Sequence, residues 1–207
     1  MPKINFTKYR LLSIAVVLML LVYFLPALSL QLKNKGNSKT GRVSAIQLEK
    51  ESKSAFLAAY SVFMHPRCMN CHPKGDIPLQ GDDSHLHHQG VVRGVEGKGV
   101  YANKCSNCHQ DKTPAGPHMP PGHPSWHLPP AHRKMVFEGK SPRQLAASFK
   151  DSTFTGFKTM ERFIEHVETD HLVMNSFSYG TRPPLTHKEF VAKVKEWIRK
   201  GAALPDK

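Results

Sequence analysis

The chain has 207 residues and carries 29 Lys and Arg against 16 Asp and Glu, a net charge of +13. That length is one domain's worth once an N-terminal segment of about 32 residues is set aside, and the charge falls only to +10 because that segment holds three basic residues and no acid. So basic a chain raises nucleic acid as a partner, but no binding motif accompanies the charge, which leaves an acidic protein partner or a merely solvated surface.

Lys3, Lys8 and Arg10 precede an uncharged run from Leu11 to Leu32, interrupted only by Pro26. A basic flank before a long apolar stretch is an export signal. Ala27-Leu28-Ser29 is a small-x-small cleavage site, but the run is long enough to span a bilayer as a helix. The expectation is an uncleaved anchor over 1–32 with the domain on the periplasmic face of the cytoplasmic membrane; the alternative is a soluble periplasmic protein after signal cleavage. Export also separates the chain from most nucleic acid. Residues 33–43, rich in Lys, Asn, Gly and Ser, read as a flexible tether, and 44–207 as the domain proper.

From Ser44 to Met64 the spacing of Leu48, Ala55, Phe56, Ala59, Val62 and Phe63 predicts a helix. It runs almost into Cys68-Met69-Asn70-Cys71-His72, and a second copy, Cys105-Ser106-Asn107-Cys108-His109, starts 37 residues later. The two copies use every cysteine in the chain. Cys-x-x-Cys-His is the attachment pattern of c-type haem. Each thiol adds across one vinyl group, a one-turn segment sets both sulfurs along one porphyrin edge, and the next histidine lies under the iron as proximal ligand. Two haem c groups are therefore expected, held by Cys68, Cys71 and His72 and by Cys105, Cys108 and His109. Three other readings exist for paired cysteines. A four-cysteine zinc site needs no histidine after each pair, a thioredoxin-like dithiol needs a strand-helix-strand context, and two disulfides would leave the repeated histidine a coincidence.

Between and after the motifs the pattern is turn-rich. Pro73–Gly99 has no clear period and reads as loop, Gly99–Gln110 as a short helix carrying the second motif, and Pro114–Pro130 as a Pro-rich wrap. Three helices finish the chain. Ser141-Pro142 caps one that runs to about Lys150. Met160, Phe163, Ile164 and Val167 mark a core-facing stripe. Thr186 and Glu189 form a capping box ahead of Phe190, Val194, Trp197 and Ile198, stopped at Gly201. The class is mainly α, cytochrome c-like, one compact dihaem domain with long Pro- and Gly-rich loops; the close spacing of the motifs is too short for tandem domains.

Several runs outside the motifs, Met64-His65-Pro66-Arg67, Gln80-Gly81-Asp82-Asp83-Ser84-His85-Leu86-His87, Met119-Pro120-Pro121-Gly122 and Trp126-His127-Leu128-Pro129-Pro130, resemble a group of bacterial exported dihaem cytochromes. Members are often labelled as an isoquinoline 1-oxidoreductase subunit, and the resemblance covers about Phe56 to Pro205. It implies an accessory electron acceptor for a molybdenum hydroxylase, since the chain has no iron-sulfur cysteine spacing and is too short for a molybdopterin domain.

Eleven further histidines and eight methionines compete for the distal positions. His85, His87 and His88 crowd one loop within chain reach of either iron, and His87, which matches the resembled stretch, is the first choice. His166 sits beside the Phe163 and Val167 stripe and can turn inward. Met119 and His127 follow, then Met135; His187 is an exposed comparison. The histidine surplus predicts at least one bis-histidine haem, which lowers the potential relative to methionine ligation. The expected function is electron transfer without catalysis, from a dehydrogenase or molybdenum hydroxylase to a redox partner that the C-terminal helix would steer through Lys188, Lys193, Lys195, Arg199 and Lys200. The competing classes are a dihaem peroxidase-like enzyme and a haem-based redox or gas sensor, both of which need an open iron site.

Overall fold

The helix α1, over residues 42–63, buries Ser52, Ala55, Phe56, Ala59, Val62 and Phe63 along one face, the 3- and 4-residue steps that put side chains on one stripe. Leu48 is 45% exposed, because it lies a turn before Ser52, the first buried position. The computed structural model describes residues 42–207; the expected anchor over 1–32 and the expected tether over 33–43 as far as residue 41 lie outside them, while Arg42 and Val43, the last two tether positions, already belong to α1. Among the described residues no helix is long and apolar enough to cross a membrane. Leu48–Lys207 forms a unit of its own, and it holds both Cys-x-x-Cys-His motifs.

The C-terminal helix α7, His187–Arg199, starts at the predicted capping box: the Thr186 side chain accepts from the Glu189 N–H while the Glu189 carboxylate accepts from the Thr186 N–H. Its buried face is Phe190, Val191, Val194 and Trp197, and it packs on α1. The Phe56 and Trp197 rings are 4.7 Å apart. Ser52 Oγ donates to the Trp197 carbonyl at 2.8 Å and accepts from the Ala203 N–H at 3.0 Å, so one buried hydroxyl fastens α1 to the turn that ends α7. Gly201 makes that turn at φ +103°.

Between these two come α2, Pro66–Met69; α3, Pro142–Phe149; α4, Ser152–Thr155; α5, Met160–Thr169; and α6, His171–Asn175. Ser141 caps α3 in a second capping box with Gln144, and Thr159 caps α5, which buries Phe163 and Val167. Periodicity does not predict the short α4 and α6. Each starts on an aspartate, Asp151 or Asp170, whose carboxylate accepts from first-turn N–H groups. The fold is mainly helical, and its core is an aromatic cluster in which Phe63 meets Phe149 at 4.6 Å and Phe190 at 5.0 Å, and Phe149 meets Phe163 at 4.8 Å. Each such ring contributes about 1.5–3 kcal/mol by burial.

The segment between α2 and α3 is almost all loop, with two two-residue hairpins, β1 (Leu79–Gln80) against β2 (His85–Leu86) and β3 (Gly99–Val100) against β4 (Asn103–Lys104). The expected helix over Gly99–Gln110 is thereby replaced by a hairpin and a single 3-10 turn, Cys105–Asn107. Gly99, at φ +84° with its α-carbon facing the Asn103 carbonyl so closely that a Cβ would lie 2.3 Å from that oxygen, reverses the chain where a helix would have begun. The loops are stapled by Arg93, 1% exposed. Its guanidinium donates to the Pro129 and Gly75 carbonyls at 2.6 and 3.2 Å and faces Asp76 at 3.5 Å. A buried cation so placed is tolerated because both terminal nitrogens donate to carbonyls and the Asp76 carboxylate balances its charge, although Nε makes no hydrogen bond.

Candidate functional site

Both Cys-x-x-Cys segments are single turns. In the first, the Cys71 N–H donates to the Cys68 carbonyl at 3.2 Å, and in the second the Cys108 N–H donates to the Cys105 carbonyl at the same distance. Pro66 at the start of α2 and His65 as its cap fix the entry to the first. All four cysteines are free thiols, Cys105 buried and Cys108 exposed, and among the described residues no group of three or more metal-ligating side chains converges.

The two histidines that follow are held alike. His72 Nδ1–H donates to the Met135 carbonyl at 2.8 Å, and its ring lies on Phe137 with centroids 3.9 Å apart and planes 5° from parallel. His109 Nδ1–H donates to the Pro121 carbonyl at 2.7 Å, and its ring lies on Trp126 at 4.0 Å and 6°. A carbonyl can only accept, so Nδ1 carries the proton in both rings and Nε2 keeps its lone pair for a ligand. Burial holds His72 neutral, with its pKa pushed down to about 3, and lowers His109 as well.

Beside the first motif lies an open, mainly apolar cavity of about 1140 Å³, counting its mouth. Cys68, Cys71 and His72 line one side, and His127 and His166 also face in, together with Phe63, Phe157 and Leu172. His166 stands on α5 with Nδ1 3.4 Å from the Asp170 carboxylate; this histidine, followed by the hydrogen bonds from α6, holds the Asp170 carboxyl well below the ordinary range. His127 Nδ1–H donates to the Ser125 carbonyl at 2.5 Å. Burial pushes the Cys68 and Cys71 thiols up to about 12 and about 11. Arg67, Arg133 and Tyr179 complete the wall. Arg67 pairs with Asp82 and lies 5.1 Å from the Tyr179 ring.

Of the distal candidates, His166 and His127 are thus brought to the first motif. His87 goes to the second: it is half-buried, its Nδ1 is buried without a hydrogen-bond partner, and it is close enough to His109 to depress that imidazole's pKa. Its neighbour His85 has both nitrogens engaged, with Gln80 at 2.9 Å and Asp83 at 2.6 Å. Met119, two residues before the Pro121 whose carbonyl holds His109, is 41% exposed, lies outside the first cavity and packs toward Gly116. Met135 lines the cavity and packs on the core, and its carbonyl anchors His72. His187 is not the exposed comparison expected, since it is half-buried with Nε2 2.8 Å from the Val167 carbonyl.

Phe137, Trp126 and Asp170 are site residues that periodicity and motif do not single out. Asp170 does carry a signal, four residues beyond His166 on one helix face. A tetrapyrrole fits the arrangement: two thiols and an imidazole with a free Nε2 share one wall of an apolar cavity, and a further imidazole faces in from α5. Comparison with protein-family models, curated proteins and solved structures finds no match.

Proposed function

We propose that the chain is a dihaem c-type cytochrome, an electron carrier on the exported side of a membrane. The observation that carries this is the repetition at His72 and His109 of one arrangement: Nδ1–H donated to a backbone carbonyl, the ring flat on an aromatic side chain, and Nε2 left free. Two structural disulfides or a zinc cluster give no reason for it. The α1 to α7 packing supports a cytochrome c-like reading, with an N-terminal helix leading into the first motif and a C-terminal helix packed on that helix.

Bound haem would supply one-electron chemistry at iron. The protein's own part is to hold and shield. Cys68, Cys71, Cys105 and Cys108 would bind the haem vinyl groups, His72 and His109 would each hold an iron, and His166 and His87 would offer a second imidazole at the first and second sites, with His127 in reserve at the first. Phe63, Phe157 and Leu172 give the first site an apolar lining, which favours one-electron exchange over ligand chemistry. The electron donor is a dehydrogenase or molybdenum hydroxylase, and the acceptor an acidic redox protein.

Mass spectrometry of the purified protein under denaturing conditions is expected to show two haems retained per chain, and absorption spectra two low-spin irons in both redox states. One haem, zinc without haem, or a high-spin iron that turns over peroxide or binds gas would overturn the carrier reading.

A further inference from the structure

We infer that Asp170 is a positioning residue for the first haem site, acting through His166 to lower that haem's potential and so to make the two haems unequal. The inference rests on the cytochrome reading above and goes beyond it. Three imidazoles line the first cavity. His72 and His127 donate Nδ1–H to neutral carbonyls, of Met135 and Ser125. His166 alone among them faces an anion, with Nδ1 3.4 Å from Asp170 Oδ2.

The carboxylate is itself fixed. Its other oxygen accepts from the Leu172 and Val173 N–H groups at 2.9 and 3.1 Å, so Oδ2 is presented to the imidazole from a constrained position at the junction of α5 and α6. His166 is held from its other side by the Phe157 ring at 5.1 Å. The 3.4 Å separation is long for a hydrogen bond, and a small rotation of the ring closes it; such contacts tighten when the ligand is in place. A histidine whose Nδ1–H is given to a carboxylate donates more strongly through Nε2 than one bonded to a carbonyl, which stabilises ferric over ferrous iron. At the second site the side chain paired with His87 is Gln89, a neutral amide, so no carboxylate gives the same aid there.

Potentiometric titration of the haem-loaded full-length protein, followed by absorption and by electron paramagnetic resonance of the ferric state, tests this. Asp170→Asn is expected to raise the reduced-to-oxidised ratio of one haem about tenfold at a fixed poise, a rise of about 59 mV for a one-electron couple, and to change the ferric resonance of that haem only. His166→Ala is expected to turn the same haem high-spin. Asp170→Ser, which keeps a capping oxygen for α6 but removes the charge, gives the same rise if Asp170→Asn does not accumulate. Unchanged midpoints and resonances in a protein that still carries two low-spin haems would overturn the role of Asp170 and leave the cytochrome reading standing; a low-spin first haem in His166→Ala would do the same. Wild-type protein without haem would overturn the cytochrome reading itself.

Discussion

Phe137→Ala is expected to destabilise the protein by about 3–5 kcal/mol, the usual range for emptying a buried phenylalanine position, and to loosen His72 at the same time. Phe137 is 4% exposed. Its ring touches three others: His72 face to face at 3.9 Å, and Phe63 and Phe149 edge-on at 5.6 and 5.4 Å. Pairs of this kind are worth about 0.5–1.5 kcal/mol each beyond area, so roughly 1.5–4.5 kcal/mol of the loss comes from ring contacts if they add. Phe137→Leu, which retains most of the buried area but none of the pairs, falls between wild type and alanine. The backbone bond from the Phe137 N–H to the His72 carbonyl at 2.9 Å survives both changes, which confines the effect to the side chain. Urea unfolding followed by far-ultraviolet circular dichroism reads this directly. With a slope of about 2 kcal/mol per M, the alanine variant's midpoint moves down by about 1.5–2.5 M. A fall of less than about 0.5 M, or a leucine variant as damaged as the alanine one, would show that Phe137 is not the support for His72 drawn from the ring geometry.

In chain produced without haem, iodoacetamide is expected to label exposed Cys108 first and Cys68, Cys71 and Cys105 later, because burial raises the pKa of these three thiols and only thiolate reacts; equal rates by peptide mass analysis would contradict the exposure of Cys108. The basic face also needs redistribution. On α7, Lys193 pairs with Glu196, Lys195 with Glu168, and Lys200 with Glu51 and Glu196, so Lys195→Glu is expected to cost stability, about 0.2–1 kcal/mol, more than it alters encounter with an acidic partner. Reversing exposed Lys98 and Lys104, which flank the second motif's hairpin, is expected to lower the association rate and its salt dependence near 0.1 M, where screening length is about 10 Å; a salt-independent wild-type rate in stopped-flow would remove the docking role altogether.

The long helices are legible because their information is local. Thr186 with Glu189 and Ser141 with Pro142 announce starts, and Phe163 with Val167 or Phe190 with Val194 announce a face. The helices α4 and α6 are too short for a period to emerge, and they exist because Asp151 and Asp170 cap them within an already folded wall. At Gly99–Gln110 the motif's single turn is readable but its extension is not, since the hairpin depends on the close approach of Gly99 to Asn103. The site divides in the same way. His72 and His109 follow from spacing alone. Which distal candidate goes where is a question of tertiary placement: His166 on α5 lines the first cavity, whereas Met119, in the same Pro-rich wrap as His127, lies outside it and is 41% exposed.

Trp126 has a consequence for how the molecule can be divided. Its ring supports His109 of the second motif and also lines the cavity of the first, and the wrap that carries it is tied at Leu128 to Gly97, where the Leu128 N–H donates to the Gly97 carbonyl at 2.8 Å. The first cavity thus draws part of its wall from chain that comes after the second motif. A fragment cut between the motifs would keep Cys68, Cys71 and His72 but lose Trp126, His127, Met135 and His166 together. The two motifs are separate in sequence yet share this wall, so a fragment cut between them would not carry a complete first cavity, and that cavity can close only after chain well beyond the second motif has been made.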